Sequence, residues 1–151
     1  MIITVFSDEQ MKGFGARCGA LVRGGEVFEL AGDVGAGKTT FTKGLARGLG
    51  IDEDVQSPTF MISRTYDGRD DIRLVHYDFY RLTDAGIMAD EIKEATSDPK
   101  SVVVVEWSEV VAKVLPADRV RMTIRATDED AREITLTAGG ERSHELLGAL
   151  V

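Results

Sequence analysis

Apolar positions recur along this chain with two periods, near 3.6 and near 2, and the switches between them mark the elements. Residues 2 to 6 are a short apolar run that predicts a strand. Ser7 followed by Gln10 has the form of a capping box, and Met11, Phe14, Cys18, Leu21 and Val22 then share one face of a helix that Gly24-Gly25 ends. Val27 to Ala31 predicts a compact strand. It leads through a glycine-rich turn, Gly32 to Lys38, into a second helix with Phe41, Leu45 and Leu49 inward and Gly50 as its stop.

Period 2 then returns. Thr59 to Tyr66 and Ile72 to Tyr77 read as antiparallel neighbours joined through Asp67-Gly68, a dipeptide suited to turns that need positive φ. Thr83 is placed to cap a helix reaching about Ala95. Ser101 to Trp107 contains four consecutive valines, as in a strand buried on both faces, and is the expected central strand. Val120, Met122 and Ile124 alternate with a solvated side that carries Arg119, Arg121 and Arg125; Ile134 and Leu136 predict the partner strand across an acidic turn, and Ser143 to Leu150 a closing helix. The expected fold is therefore α/β, one domain over residues 1–151 with a mixed central sheet flanked by helices and antiparallel C-terminal strands; the string Gly32-Asp33-Val34-Gly35-Ala36-Gly37-Lys38-Thr39 between strand and helix makes it P-loop NTPase-like.

Composition narrows the function classes. With 151 residues, 43% hydrophobic and 3 prolines, the chain can build a core, which excludes disordered and collagen-like classes. Its 18 basic and 26 acidic residues give a net charge of −8, so any nucleic-acid role must be local or indirect. Cys18, the single cysteine, falls on an apolar helix face and reads as packing. Met1 to Phe6 lacks a basic leader, and no apolar run approaches the ~20 residues a bilayer requires, so a cytoplasmic location is expected.

The strongest chemical signal is Gly32-Asp33-Val34-Gly35-Ala36-Gly37-Lys38-Thr39, a full phosphate-loop string between a buried-type strand and an amphipathic helix. In such a loop the amides of Gly35, Ala36 and Gly37 turn into one concavity and, with the helix N-terminus, hold a nucleotide's phosphates. Lys38 is placed to bridge β- and γ-phosphates, Thr39 to offer its hydroxyl to Mg²⁺ and Thr40 to reach the α-phosphate. Two strand-end carboxylates, Glu106 and Asp78, are candidates to complete the magnesium shell and orient water, with Glu106 assigned the Walker B role. Ser57-Pro58-Thr59-Phe60 reads either as a proline turn or as a segment sensing γ-phosphate through Thr59. Trp107 reads as a shield or as core, and His76, alternating with Tyr77, is not expected to bind metal. The sequence contains no asparagine, which excludes the Asn-Lys-x-Asp loop of switch GTPases, and no Leu-Ser-Gly-Gly-Gln string; adenine remains by elimination.

Taken together, residues 32–40, Ser-Pro-Thr-Phe at 57–60, His-Tyr-Asp-Phe-Tyr-Arg-Leu at 76–82 and Glu106-Trp107 resemble the TsaE (YjeE) family of P-loop ATPases in tRNA threonylcarbamoyladenosine biosynthesis. The resemblance implies an ATPase, slow by itself, that works with TsaD and TsaB in threonylcarbamoylation of the tRNA adenosine beside the anticodon, without transferring the group. It implies ATP and Mg²⁺ as cofactors and tRNA as an indirect partner through the complex. It implies that Thr39 and Glu106 hold Mg²⁺, that Lys38 and the loop bind triphosphate, that Asp78 with Thr59 supports hydrolysis, and that Glu9 lies near the nucleotide. The segment from Thr83 to Lys100 departs from the family's longer Glu- and Leu-rich stretch. Two other readings stay open: a small-molecule kinase, for which Arg64, Arg69, Arg73 and Arg81 are lid candidates, and a non-catalytic nucleotide-gated binding module.

Overall fold

In the computed structural model, which describes residues 1–33, 35–56, 62–80 and 82–151, strands and helices follow one another around a single mixed sheet. The elements are β1 (Ile2–Val5), α1 (Asp8–Leu21), β2 (Val27–Ala31), α2 (Lys38–Gly48), β3 (Ser63–Asp67), β4 (Arg73–Asp78), α3 (Met88–Ser97), β5 (Ser101–Glu106), β6 (Val120–Ala126), β7 (Arg132–Ala138) and α4 (Glu141–Leu150). The sheet order is β1-β7-β6-β2-β5-β4-β3. The inner pairs β6/β2, β2/β5 and β5/β4 are parallel, while β3/β4, β6/β7 and β1/β7 are antiparallel.

The middle position therefore belongs to β2, not to the valine-rich β5 beside it. Both are buried on their two faces, and the charged Glu29 in β2 hides that strand's centrality from a hydrophobicity reading. Val102 and Val104 of β5 enter the core under α1, α2 and α4; Val103 and Val105 enter a second core with Met88 and Ile92 of α3. Alternation of side chains along a strand assigns each residue its layer.

Helix α1 begins as its sequence predicts. Ser7 Oγ accepts from the Gln10 amide at 3.1 Å, and Gln10 Oε1 in turn accepts from the Phe6 amide at 2.8 Å. Leu21, expected inward, is exposed at the frayed end of the apolar stripe; Gly15 and Gly19 occupy the buried face instead. They meet Gly44 and Gly48 of α2, and a Cβ at any of these four would strike backbone of the opposite helix. The two helices thus approach to backbone contact, closer than side-chain ridges permit.

Other boundaries shift for physical reasons. The hairpin between β3 and β4 turns through residues 68–72, and positive φ falls on Asp70 (57°) and Asp71 (60°) and not on Gly68 (−110°). The helix expected to be capped by Thr83 starts four residues later, at Met88, with Ile87 as an N-cap residue that makes no side-chain hydrogen bond. Helix α4 starts at Glu141, where the Asp118 carboxylate accepts from the amides of Arg142 and Ser143, both at 3.0 Å. No helix among the described residues is long and apolar enough to cross a membrane.

Candidate functional site

The phosphate loop lies where β2 ends and α2 begins, at the carboxyl edge of the parallel strands, the place where open α/β sheets put ligands. Its geometry needs glycine at Gly35 and Gly37, whose φ angles are 82° and 114°. Gly37 precedes α2 directly and offers no side chain to cap it, which leaves the leading amides and the positive end of the helix dipole available to an anion.

A cleft of about 630 Å³ opens over this loop, lined among others by Gly35, Ala36, Gly37, Lys38, Thr39 and Thr40. On one side stand Asp78, Tyr80, Glu106 and Trp107; on the other, Ser7, Asp8, Met11, Asp130 and Arg132. Asp78 and Glu106 are Cα partners in the register of β4 and β5, so their backbones lie one strand spacing apart, ~4.8 Å. Both share the alternation face of Leu74 and Val102, the side on which α2 begins. Asp78 also turns the chain after β4, its carboxylate accepting from the Tyr80 amide at 3.0 Å.

Lys38 is almost wholly buried. Its ammonium donates to the Gly32 carbonyl at 2.6 Å and lies 4.2 Å from the centroid of the Trp107 ring. Carbonyl and ring face together hold the cation at the floor of the cleft. Trp107 holds a left-handed conformation (φ 55°, ψ 54°) directly after Glu106 and packs on Tyr80 at 4.9 Å, so the indole is both a wall of the cleft and a half-buried part of the second core.

Of the expected site residues, Lys38, Thr39, Thr40, Asp78 and Glu106 converge on the cleft with the loop glycines and Ala36. Glu9 does not line it; its carboxylate turns to Lys12 (3.7 Å) and Arg47 (4.0 Å), leaving Ser7 and Asp8 as the contributors from that end of α1. Thr59 and the rest of residues 57–61 lie outside the described residues, as does Arg81. The other lid candidates are engaged elsewhere: Arg69 donates to the carbonyls of Gly19, Ala20 and Val22, Arg73 pairs with Asp98 at 2.7 Å, and Arg64 lies over Tyr66. Arg119, expected on the solvated face, instead donates to the buried Glu29 at 3.1 Å. Burial would raise the Glu29 carboxyl, but hydrogen bonds from Ser108 and Arg119 and the charges of Arg119 and Arg121 outweigh it and hold it below its ordinary range.

The sequence reading missed Arg132. Its Nε donates to the Ala36 carbonyl at 3.1 Å, and Nη1 donates to the carbonyls of Asp128, Glu129 and Ala131. One guanidinium thereby fastens the β6–β7 hairpin to the phosphate loop. Nothing local in the sequence signals this, since the two partners lie 96 positions apart.

The family model described as "Threonylcarbamoyl adenosine biosynthesis protein TsaE" matches residues 5–134. The chain belongs to the TsaE family. Among curated TsaE proteins, one from Bacillus subtilis is 42% identical over 144 residues, covering 92% of this chain and 85% of the relative. One from Streptomyces coelicolor is 42% identical over 137 residues (87% and 93%), and one from Treponema pallidum is 41% identical over 123 residues (82% and 90%). All three are named tRNA threonylcarbamoyladenosine biosynthesis protein TsaE. The fold is similar to the crystal structure of Bacillus subtilis YdiB, with a TM-score of 0.82 and 35% identity over 99% of this chain and 93% of that one.

Proposed function

We propose that the chain is a Mg²⁺-dependent ATPase of tRNA threonylcarbamoyladenosine biosynthesis that acts in the cytoplasm with TsaD and TsaB. The observation that supports this most directly is the convergence of Thr39, Asp78 and Glu106 around the start of α2. The residues also suit the ion. Thr39 and Glu106 bring a hydroxyl and a carboxylate oxygen to one cleft, and Mg²⁺ in phosphoryl-transfer sites characteristically takes one or two protein oxygens and completes its shell with phosphate and water.

In this reading the amides of Gly35 and Gly37 and the Lys38 ammonium hold the β- and γ-phosphates and Thr40 meets the α-phosphate, while the Ala36 amide, expected from the sequence to join them, donates to the Asp33 carbonyl at 3.0 Å and closes the loop on itself. Thr39 Oγ1 and the Glu106 carboxylate hold Mg²⁺, which when bound neutralises charge developing on the phosphate oxygens. Asp78, one strand away, orients water in line with the γ-phosphorus, and Thr59 assists. Water adds to that phosphorus, the bond to the β–γ bridging oxygen breaks, and ADP and phosphate leave. Lys38 moves from the Gly32 carbonyl and the Trp107 face onto the phosphates, which links the occupied cleft to Trp107 and Tyr80 on its rim. With a net charge of −8 the chain is better suited to meeting tRNA through its protein partners than directly.

The test is ATP turnover measured with and without TsaB and TsaD, together with the tRNA modification of a deletion strain. Stimulated turnover and lost modification are expected; turnover indifferent to the partners with normal modification overturns the reading.

A further inference from the structure

His76 of β4 and Glu106 of β5 stand 30 positions apart in sequence and meet inside the sheet. The ring Nε2 lies 2.5 Å from Glu106 Oε2, and the side chains are 0% and 4% exposed. An ionised carboxylate only accepts, so a hydrogen bond from the ring to such a carboxylate requires the tautomer that carries its hydrogen on Nε2, directed at Oε2. On the opposite side of the ring, Nδ1 has no hydrogen-bond partner among the described residues. A phenylalanine or leucine would occupy this place without stranding a polar atom. What the imidazole contributes is one directed N–H, aimed at a carboxylate that borders the cleft while His76 itself does not.

A glutamate has three rotatable side-chain bonds, and a carboxylate free to turn loses that freedom when it captures a cation. Fixing one oxygen beforehand removes part of that loss. We propose that His76 is a positioning residue: by holding Oε2 it presents the other oxygen, Oε1, to the space beside Thr39, so that Glu106 meets the divalent cation already oriented. This rests on the reading of Glu106 as a magnesium-binding residue. Outer hydrogen bonds of this kind are typically worth ~10–100-fold in metal affinity.

The experiment measures Mn²⁺ binding to the ADP-loaded chain by electron paramagnetic resonance, for wild type, His76→Gln, His76→Phe and Glu106→Gln. ADP affinity in EDTA and thermal midpoints are recorded for each. Gln places an N–H near the position of Nε2, so His76→Gln should stay within about threefold of wild type, while His76→Phe should lose about tenfold in Mn²⁺ affinity with metal-free ADP binding unchanged. Equal losses in the Gln and Phe variants, or loss of metal-free ADP binding in step with Mn²⁺, would make the pair a packing feature and overturn the proposal. So would wild-type Mn²⁺ affinity in His76→Phe while Glu106→Gln loses it. Wild-type Mn²⁺ affinity in Glu106→Gln would instead reject Glu106 as a metal-binding residue, a separate failure.

Discussion

Arg132 Nε donates to the carbonyl oxygen of Ala36 at 3.1 Å, and through it the hairpin between β6 and β7 is joined to the phosphate loop. The Ala36 amide itself donates to the Asp33 carbonyl at 3.0 Å, so Ala36 is held at both its N–H and its C=O, and the bond from Arg132 fixes the peptide plane that joins it to Gly37. Removing a charged donor to a part-buried acceptor costs ~1.5–3 kcal/mol where the acceptor cannot find water. Arg132→Ala should therefore weaken ADP and ATP binding by about fivefold or more in titration calorimetry, with similar factors for both nucleotides. An unchanged affinity would mean that the loop holds its shape without the hairpin.

Lys38 makes a different prediction because, in the function proposed, its charge meets the phosphates directly. In the described structure the ammonium already has a carbonyl and a ring face, so its removal leaves Gly32 and Trp107 without the cation as well. Lys38→Ala should lower ATP affinity by more than tenfold, ~1.4 kcal/mol, and should lower AMP affinity much less, since AMP lacks the β- and γ-phosphates. Competition binding with the three adenine nucleotides measures the difference.

The glycines of α1 separate packing from propensity. A Cβ at Gly15 would collide with the Phe41 carbonyl and the Leu45 amide, whereas at Gly13 it meets nothing within 4 Å. Gly15→Ala should force the helices apart and cost ~1–3 kcal/mol, or about 3–10 °C in thermal midpoint for a chain of this size. Gly13→Ala, on the exposed side, should be neutral or stabilising by up to ~1 kcal/mol, because alanine loses less backbone entropy in a helix. Differential scanning calorimetry of the two variants decides this.

These contrasts also explain what the sequence conveys. The phosphate loop is legible because its chemistry is main-chain chemistry, and glycines at Gly32, Gly35 and Gly37 are the sequence's way of writing positive φ, at 154°, 82° and 114°. Strand β5 is legible because burial on two faces forces a continuous apolar run, and β6 because its one buried face forces alternation. Arg132 and the His76–Glu106 pair are not, because β7 and β5 are brought to their partners by sheet order, and a contact across 96 or 30 positions leaves no local periodicity. The start of α3 failed for the opposite reason: Thr83 has the right chemistry for a cap, yet the chain uses Ile87, which makes no side-chain cap. Hydrophobic spacing points Leu21 inward because glycine carries no hydrophobic signal, although Gly15 and Gly19 are the residues at the contact.

Cys18 has no exposed surface, and burial pushes its thiol up to about 12. The thiolate is the reactive form, so the native chain should resist alkylation. Iodoacetamide at pH 8 should label Cys18 at least a hundredfold more slowly than in denaturant, as followed by intact-mass spectrometry. Rapid labelling of the folded chain would show that α1 opens away from α2 far more readily than the glycine contact allows.

Asp118 gives the pH dependence its sign. Burial alone would raise its carboxyl, but hydrogen bonds from the Ser143 hydroxyl and from the Ser143 and Arg142 amides outweigh it and hold it below its ordinary value. A carboxyl lowered on folding stabilises the chain at pH values above its unfolded value, ~3.9, and that contribution is lost as pH falls through the folded value. Because these bonds satisfy the first amides of α4, Asp118→Ala should cost ~1 kcal/mol, as an N-cap replacement does. In urea unfolding the gap between wild type and Asp118→Ala should be constant from about pH 5 to pH 8 and should shrink below about pH 4. A gap that persists undiminished at pH 3 would mean that the protonated carboxyl caps α4 as well as the charged one.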